Sequence, residues 1–230
     1  GNEGLTRANL GVLWFQLEVR GIPVHVANMG TGANAIDAAY RVIGALRQLE
    51  ERWNAKAKAH DLFGAHHHPI NLNLGKIEGG DWASSVPAWC RIDCRIAFLP
   101  GTSAAAAAAE IEACITEFAR RDSFLANNPP RVAWNGFFAE GYRLEPGSGA
   151  EKTLAAAHQA VTGQPLEDRL VTAYLDARVY ALYDKIPVLN YGCIAENYHG
   201  FDERVDLASV LRTTQVIAQF VADWCGVEPA

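Results

Sequence analysis

The sequence predicts an α+β fold: a ferredoxin-like unit, in which a four-stranded antiparallel sheet carries two helices on one face, followed by part of an α/β unit. Three observations lead there. Strand-length stretches alternate apolar and polar residues, and longer stretches repeat apolar residues every three or four positions. These segments follow one another as strand, helix, strand, strand, helix, strand, and the composition then shifts across residues 140–148.

The first strand covers Val12 to Val19, with Phe15, Leu17 and Val19 on one face and Gln16 and Glu18 on the other. After the Gly30-Thr-Gly32 turn, Asn34 can cap a helix running to about Trp53, with Ile36, Ala39, Ile43 and Leu46 as its apolar stripe. A second strand is expected from Ile70 to Ile77. The third, Trp89 to Phe98, sets Cys90, Ile92, Cys94, Ile96 and Phe98 against Arg91, Asp93 and Arg95. Pro100-Gly101 breaks it, and Ser103 can cap a helix through the alanine run to Arg120, buried through Ile111, Cys114, Ile115 and Phe118. Arg131 to Phe137 completes the sheet.

Pro146-Gly147-Ser148 marks a linker, so the chain divides at 1–142 and 143–230. Ser148 and Glu151 form a capping-box pattern before a helix with Leu154, Ala157 and Val161 on one side. A short helix from Asp176 to Tyr183, a buried strand from Ile186 to Tyr191 and a last helix from Asp206 to Gly226 follow. This part has too few strands for a full doubly wound sheet and calls for a partner segment.

A chain of 230 residues, half of them apolar, can bury a sizeable core. The formal charge of −6 excludes a nucleic-acid or anionic-membrane surface built from clustered Lys and Arg. No apolar run approaches the roughly 20 residues of a membrane span, and no signal peptide opens the chain, so a cytoplasmic protein is expected. Cys90, Cys94, Cys114, Cys193 and Cys225 lack paired C-x-x-C spacing and read as reduced thiols. His66-His67-His68 reads as an exposed turn, since adjacent residues on an extended chain point to opposite sides.

Four segments carry a family resemblance. They are Gly21-Ile-Pro-Val-His25 with Gly32-Ala-Asn34-Ala-Ile36; Asn73-Leu-Gly-Lys-Ile-Glu-Gly79-Gly80 with Ser84-Ser-Val86-Pro87 and Asp93-Cys-Arg95; Tyr174-Leu-Asp176-Ala-Arg178; and Tyr191-Gly192-Cys193 with His199-Gly-Phe-Asp202-Glu203. In this order they resemble the zinc metallohydrolases that include acetylornithine deacetylase, succinyl-diaminopimelate desuccinylase, aminoacylase and carboxypeptidase G. The resemblance implies a lid, or dimerisation, domain followed by the carboxy-terminal part of a zinc-peptidase-like catalytic domain, the amino-terminal half being absent.

The resemblance also implies roles. His199 matches a ligand of a co-catalytic pair of zinc ions, with cobalt or manganese as alternative metals. His25 matches the lid histidine that reaches the other subunit's site and hydrogen-bonds the oxyanion. Arg178 matches a residue holding the substrate carboxylate; Ser84, where the family has Asn, and Asn34 are further substrate-binding candidates. The expected protein is a homodimeric, metal-dependent hydrolase of N-acyl amino acids or small peptide-like amides. The isolated chain is expected to be inactive, because the family's remaining metal ligands and general base have no counterpart in it. The alternative is a dimerisation or lid module without catalytic activity.

Overall fold

In the computed structural model residues 2–228 are described. The elements in chain order are β1 (Leu5–Asn9), β2 (Gly11–Arg20), α1 (Ala35–Ala57), β3 (Leu72–Gly79), β4 (Trp89–Phe98), α2 (Ala104–Arg121), β5 (Arg131–Ala133), β6 (Phe138–Ala139), α3 (Gly149–Thr162), β7 (Asp168–Val171), β8 (Ala195–Glu196), β9 (Arg204–Val205) and α4 (Leu207–Cys225). They fall into two compact units. One is Leu10–Gly141 with Thr172–Tyr174; the other takes the residues up to Asn9, Tyr142–Val171 and those from Leu175 on.

In the first unit the sheet runs β3-β4-β2-β5, and β6 also pairs with β2. Every pairing in it is antiparallel. β2 and β4 are in unbroken register from Gly11 opposite Phe98 to Arg20 opposite Trp89. Leu13, Phe15, Leu17 and Val19 therefore share a face with Cys90, Ile92, Cys94, Ile96 and Phe98, and all are buried. α1 covers that face with Ala38, Ala39, Val42, Leu46 and Trp53, and α2 with Ala104, Ala107, Ile111 and Ile115, in one apolar core. The alanines let both helices approach closely, and their caps are those the sequence predicts. Asn34 Oδ1 accepts from the amides of Ile36 and Asp37, and Ser103 Oγ from that of Ala106.

Three boundaries differ from expectation. α1 runs past Trp53 to Ala57. β3 begins at Leu72 rather than Ile70, because polar side chains of α1 hold the chain entering it. Asn54 accepts from the Ile70 amide at 3.0 Å and donates to its carbonyl at 2.8 Å, while Glu50 accepts from the Leu72 amide at 2.7 Å. The strand expected from Arg131 to Phe137 is split into β5 and β6. Gly136 lies between them against Trp14, where an added Cβ would come within 2.8 Å of that side chain.

In the second unit β1 pairs in parallel with β7, from Leu5 opposite Asp168 to Asn9 opposite Val171. The residues up to Asn9 thus join this unit, where the sequence division puts them with the sheet unit; a pairing across some 160 positions leaves no local trace. Arg7, buried, ties the unit together by donating to Glu151, Asp168 and the Leu144 carbonyl. Its two carboxylate partners raise its pKa. α3 carries the capping box, Ser148 Oγ accepting from the Glu151 amide and Glu151 from that of Gly147. The short helix expected over Asp176–Tyr183 is present: a turn at 176–177 leads into helical residues 178–179, which continue into a π-helix, Tyr180–Asp184. Residues 186–191 are not in a strand; the Asn190 carbonyl accepts the Thr6 amide at 2.9 Å, and the adjoining Gly192 and Cys193 carbonyls accept those of Glu3 and Asn2 at 2.8 and 3.0 Å.

Candidate functional site

In the sheet unit His25, Ser84 and Asn34 border one region. Residues 24–26 and 84–86 lie side by side: Val26 donates to the Ser84 carbonyl at 3.0 Å and Val86 to the Val24 carbonyl at 2.9 Å, and His25 forms a bridge with Ser85. His25 is exposed, and its Nδ1 accepts the Ala27 amide at 3.1 Å. Accepting through Nδ1 puts the ring proton of the neutral imidazole on Nε2, which becomes an outward donor. Asn34 has its carbonyl oxygen committed to the helix cap. Its side chain also borders an open cleft of about 480 Å³, shared with Met29, Asp81 and Trp82.

The opposite face of the sheet carries a residue that sequence reasoning passed over. Arg95 stands between Trp14 and Asn73 on the neighbouring strands. Its guanidinium donates to two carbonyls, those of Asn71 and Thr172, each at 3.4 Å. Burial lowers its pKa, as for a cation whose neighbours do not fully replace its lost hydration. It lines a cavity of about 330 Å³ with Trp14, Asn73, Asp93 and Asn135. The sequence signals were the polar side of the β4 alternation and the Asp93-Cys-Arg95 segment of the family resemblance.

In the second unit His199 sits in the loop of a small hairpin between β8 and β9, fully on the surface, at φ 62°. Asn197 in the same loop is also left-handed, and the loop is fastened at its base by Arg204 pairing with Glu196 at 2.5 Å. Arg178 is buried, not a helix-surface residue. Its Nη1 donates to the Tyr183 hydroxyl at 3.3 Å and its guanidinium lies 5.6 Å from that ring. Glu3 accepts from Arg212 at 2.8 Å, and His158 meets the Tyr191 hydroxyl at 2.9 Å. Burial lowers the His158 pKa, so this histidine is held neutral. Among the described residues no three or more His, Cys, Asp or Glu side chains gather as a metal would require. The His66-His67-His68 segment lies in turns, with His68 Nε2 at 3.3 Å from Glu50.

Comparison with known proteins accounts for these segments. Residues 7–123 match the model of the peptidase dimerisation domain of the M20 family. The chain is 28% identical over 213 residues to the N-formyl-4-amino-5-aminomethyl-2-methylpyrimidine deformylase of Bacillus subtilis, covering 88% of this chain and 49% of that protein. It is 33% identical over 103 residues to the acetylornithine deacetylase of Vibrio cholerae, covering 42% of this chain and 25% of that enzyme. Among solved structures, the dipeptidase Dug1p of Saccharomyces cerevisiae superposes with a TM-score of 0.74 at 14% identity, over all of this chain and 57% of that one. That likeness shows the fold. The chain spans about half the length of the curated relatives it matches. No helix among the described residues is long and apolar enough to cross a membrane. The relatives are hydrolases by name, and the chain belongs to the M20 peptidase dimerisation-domain family, within the metallohydrolases that its His25, Asp93-Cys-Arg95 and His199 segments resemble.

Proposed function

We propose that this chain provides the ferredoxin-like lid and the carboxy-terminal part of the catalytic domain of a metal-dependent amide hydrolase. The substrates are linear N-acyl compounds such as N-acyl or N-formyl amines and amino acids. The observation that carries this reading is the state of His25: exposed, with Nδ1 satisfied by its own turn and Nε2–H directed outward. A ring N–H donor of this kind stabilises the oxyanion that forms when water adds to an amide carbonyl. A homodimer joined through the lid lets His25 serve the partner's site, with closed two-fold symmetry as the simplest assembly.

The remaining candidates take supporting roles. Arg178, fixed by Tyr183, and Arg95, which has only carbonyl partners, each offer a planar fork to a substrate carboxylate. Ser84 and Asn34 contribute short polar contacts beside His25. A divalent metal would polarise the amide and activate water when bound. His199 supplies one ligand, and the other ligands and the general base come from residues beyond those described.

A competing reading, a lid module without catalytic activity, draws on the lack of a gathered ligand set among the described residues. Hydrolysis assays on the whole protein separate the two. N-acetyl and N-formyl amino acids are offered beside N-acyl amines lacking a carboxylate. Metal-dependent turnover supports the hydrolase, and Arg95→Met should raise KM about tenfold for carboxylate-bearing substrates alone. Light scattering showing only monomer at micromolar concentration would remove the cross-subunit role of His25.

A further inference from the structure

The cleft beside His25 is lined, besides Asn34, by residues that the roles above do not use. Trp82 is 66% exposed and Met29 61%, high for large apolar side chains. Trp82 is nevertheless fixed, because its Nε1–H donates to Ser85 Oγ at 2.8 Å. The indole is thus tethered at one edge with its faces left open. Its rotamer entropy is already spent before any ligand arrives, which favours stacking.

The floor of the cleft is Gly79-Gly80. Gly80 is left-handed at φ 73°, and Pro87 Cγ lies 3.4 Å from where its Cβ would be. Any side chain there would both strain the turn and fill the cleft. The only charged residue in the lining is Asp81, and no Lys or Arg borders it. Asp81 is exposed, and its Oδ1 accepts the Trp89 indole N–H at 3.3 Å. The volume of about 480 Å³ suits a small molecule rather than a helix or a strand.

We infer that this cleft is a specificity subsite for a planar aromatic group bearing an amine, with Trp82 as the stacking platform and Asp81 as the partner of the ammonium. An open indole face attracts both π-systems and cations, and one carboxylate beside it sets the sign of the charge accepted. Met29 supplies a soft opposing surface that adapts to ring size. The subsite rests on the hydrolase reading only in making the bound group part of a substrate; binding itself does not need turnover.

The test titrates this chain with benzylamine, benzoate and cyclohexylmethylamine, followed through the indole N–H resonance assigned to Trp82 by its loss in Trp82→Ala. Benzylamine should shift that resonance saturably in the millimolar range, and benzoate and cyclohexylmethylamine should bind about tenfold more weakly. Asp81→Asn should weaken benzylamine about tenfold while keeping the resonance. Both residues are exposed, so the variants are expected to keep the circular dichroism of the parent.

Equal response to all three probes, or benzylamine binding unchanged in Asp81→Asn, overturns the subsite. So does self-association that weakens in Trp82→Ala with no benzylamine response in the parent, since the patch would then be covered by a second copy. Selective binding without hydrolysis by the whole protein leaves the subsite standing and removes only the hydrolase reading.

Discussion

His25 Nδ1 accepts the amide of Ala27 at 3.1 Å, so the ring is turned and its tautomer set by the residue two positions on in its own loop. This separates positioning from reaction: the ring is oriented by a backbone amide of its own turn. His25→Ala in the whole protein should lower kcat by about 10²–10³-fold, with a smaller effect on KM, because an oxyanion donor acts mainly in the transition state. Steady-state kinetics check it, and a change confined to KM would contradict the role.

Asn54 is a buried side chain that satisfies both backbone groups of Ile70. Asn54→Ala leaves a buried amide and carbonyl without partners, at a cost of about 2–3 kcal/mol. The loss should appear as a lower denaturation midpoint with an unchanged slope. Asn54→Asp should be no better, since it keeps the acceptor for the Ile70 amide but loses the donor and brings a second carboxylate close to Glu50.

The same residue shows where sequence legibility ended. The alternation of β2 and β4 and the stripes of α1 and α2 were readable because each buries one face against a single core, so periodicity and burial coincide. The start of β3 was not, because it is set by Glu50 and Asn54 from a helix about 20 positions away. Residues 186–191 looked like a buried strand, since apolar content alone does not say whether a ladder partner is present. Arg95 was readable only as part of the Asp93-Cys-Arg95 segment and of the polar face of β4, where a half-buried arginine and a solvated one have the same pattern. Its lowered pKa and its two carbonyl contacts distinguish it only in three dimensions.

Asp122 gives the pH dependence its acid limb. Arg41 donates to it at 2.7 Å and the amides of Phe124 and Leu125 at 2.9 Å each. The Arg41 contact foremost, then the two amides, draws its pKa from 3.8 to about 2. A carboxylate with a depressed folded pKa stabilises fully above its unfolded value, and the contribution is lost as pH falls from about 4 through about 2. With Arg41 half exposed, the pair contributes about 1 kcal/mol after solvent screening. Urea denaturation at pH 6 and at low pH should show Asp122→Asn less stable than the parent at pH 6 by about that amount, with the difference gone near pH 2.

His199 can be separated from the fold because nothing in the fold depends on its side chain. It is exposed, in a hairpin loop, at φ 62°, a conformation that glycine adopts without strain. His199→Gly should therefore leave thermal stability within about 0.5 kcal/mol of the parent. Its effect on chemistry should be large, since losing one imidazole from a divalent site of three or four ligands removes a bond that no neighbour replaces. Metal content after dialysis and hydrolysis by the whole protein should both fall, while the circular dichroism of the hairpin-bearing unit stays unchanged. Glu3 and Glu196 are poor substitutes, being held by Arg212 and Arg204. Full metal retention in His199→Gly would place the metal on other residues and leave the hairpin with only a substrate-side or structural role.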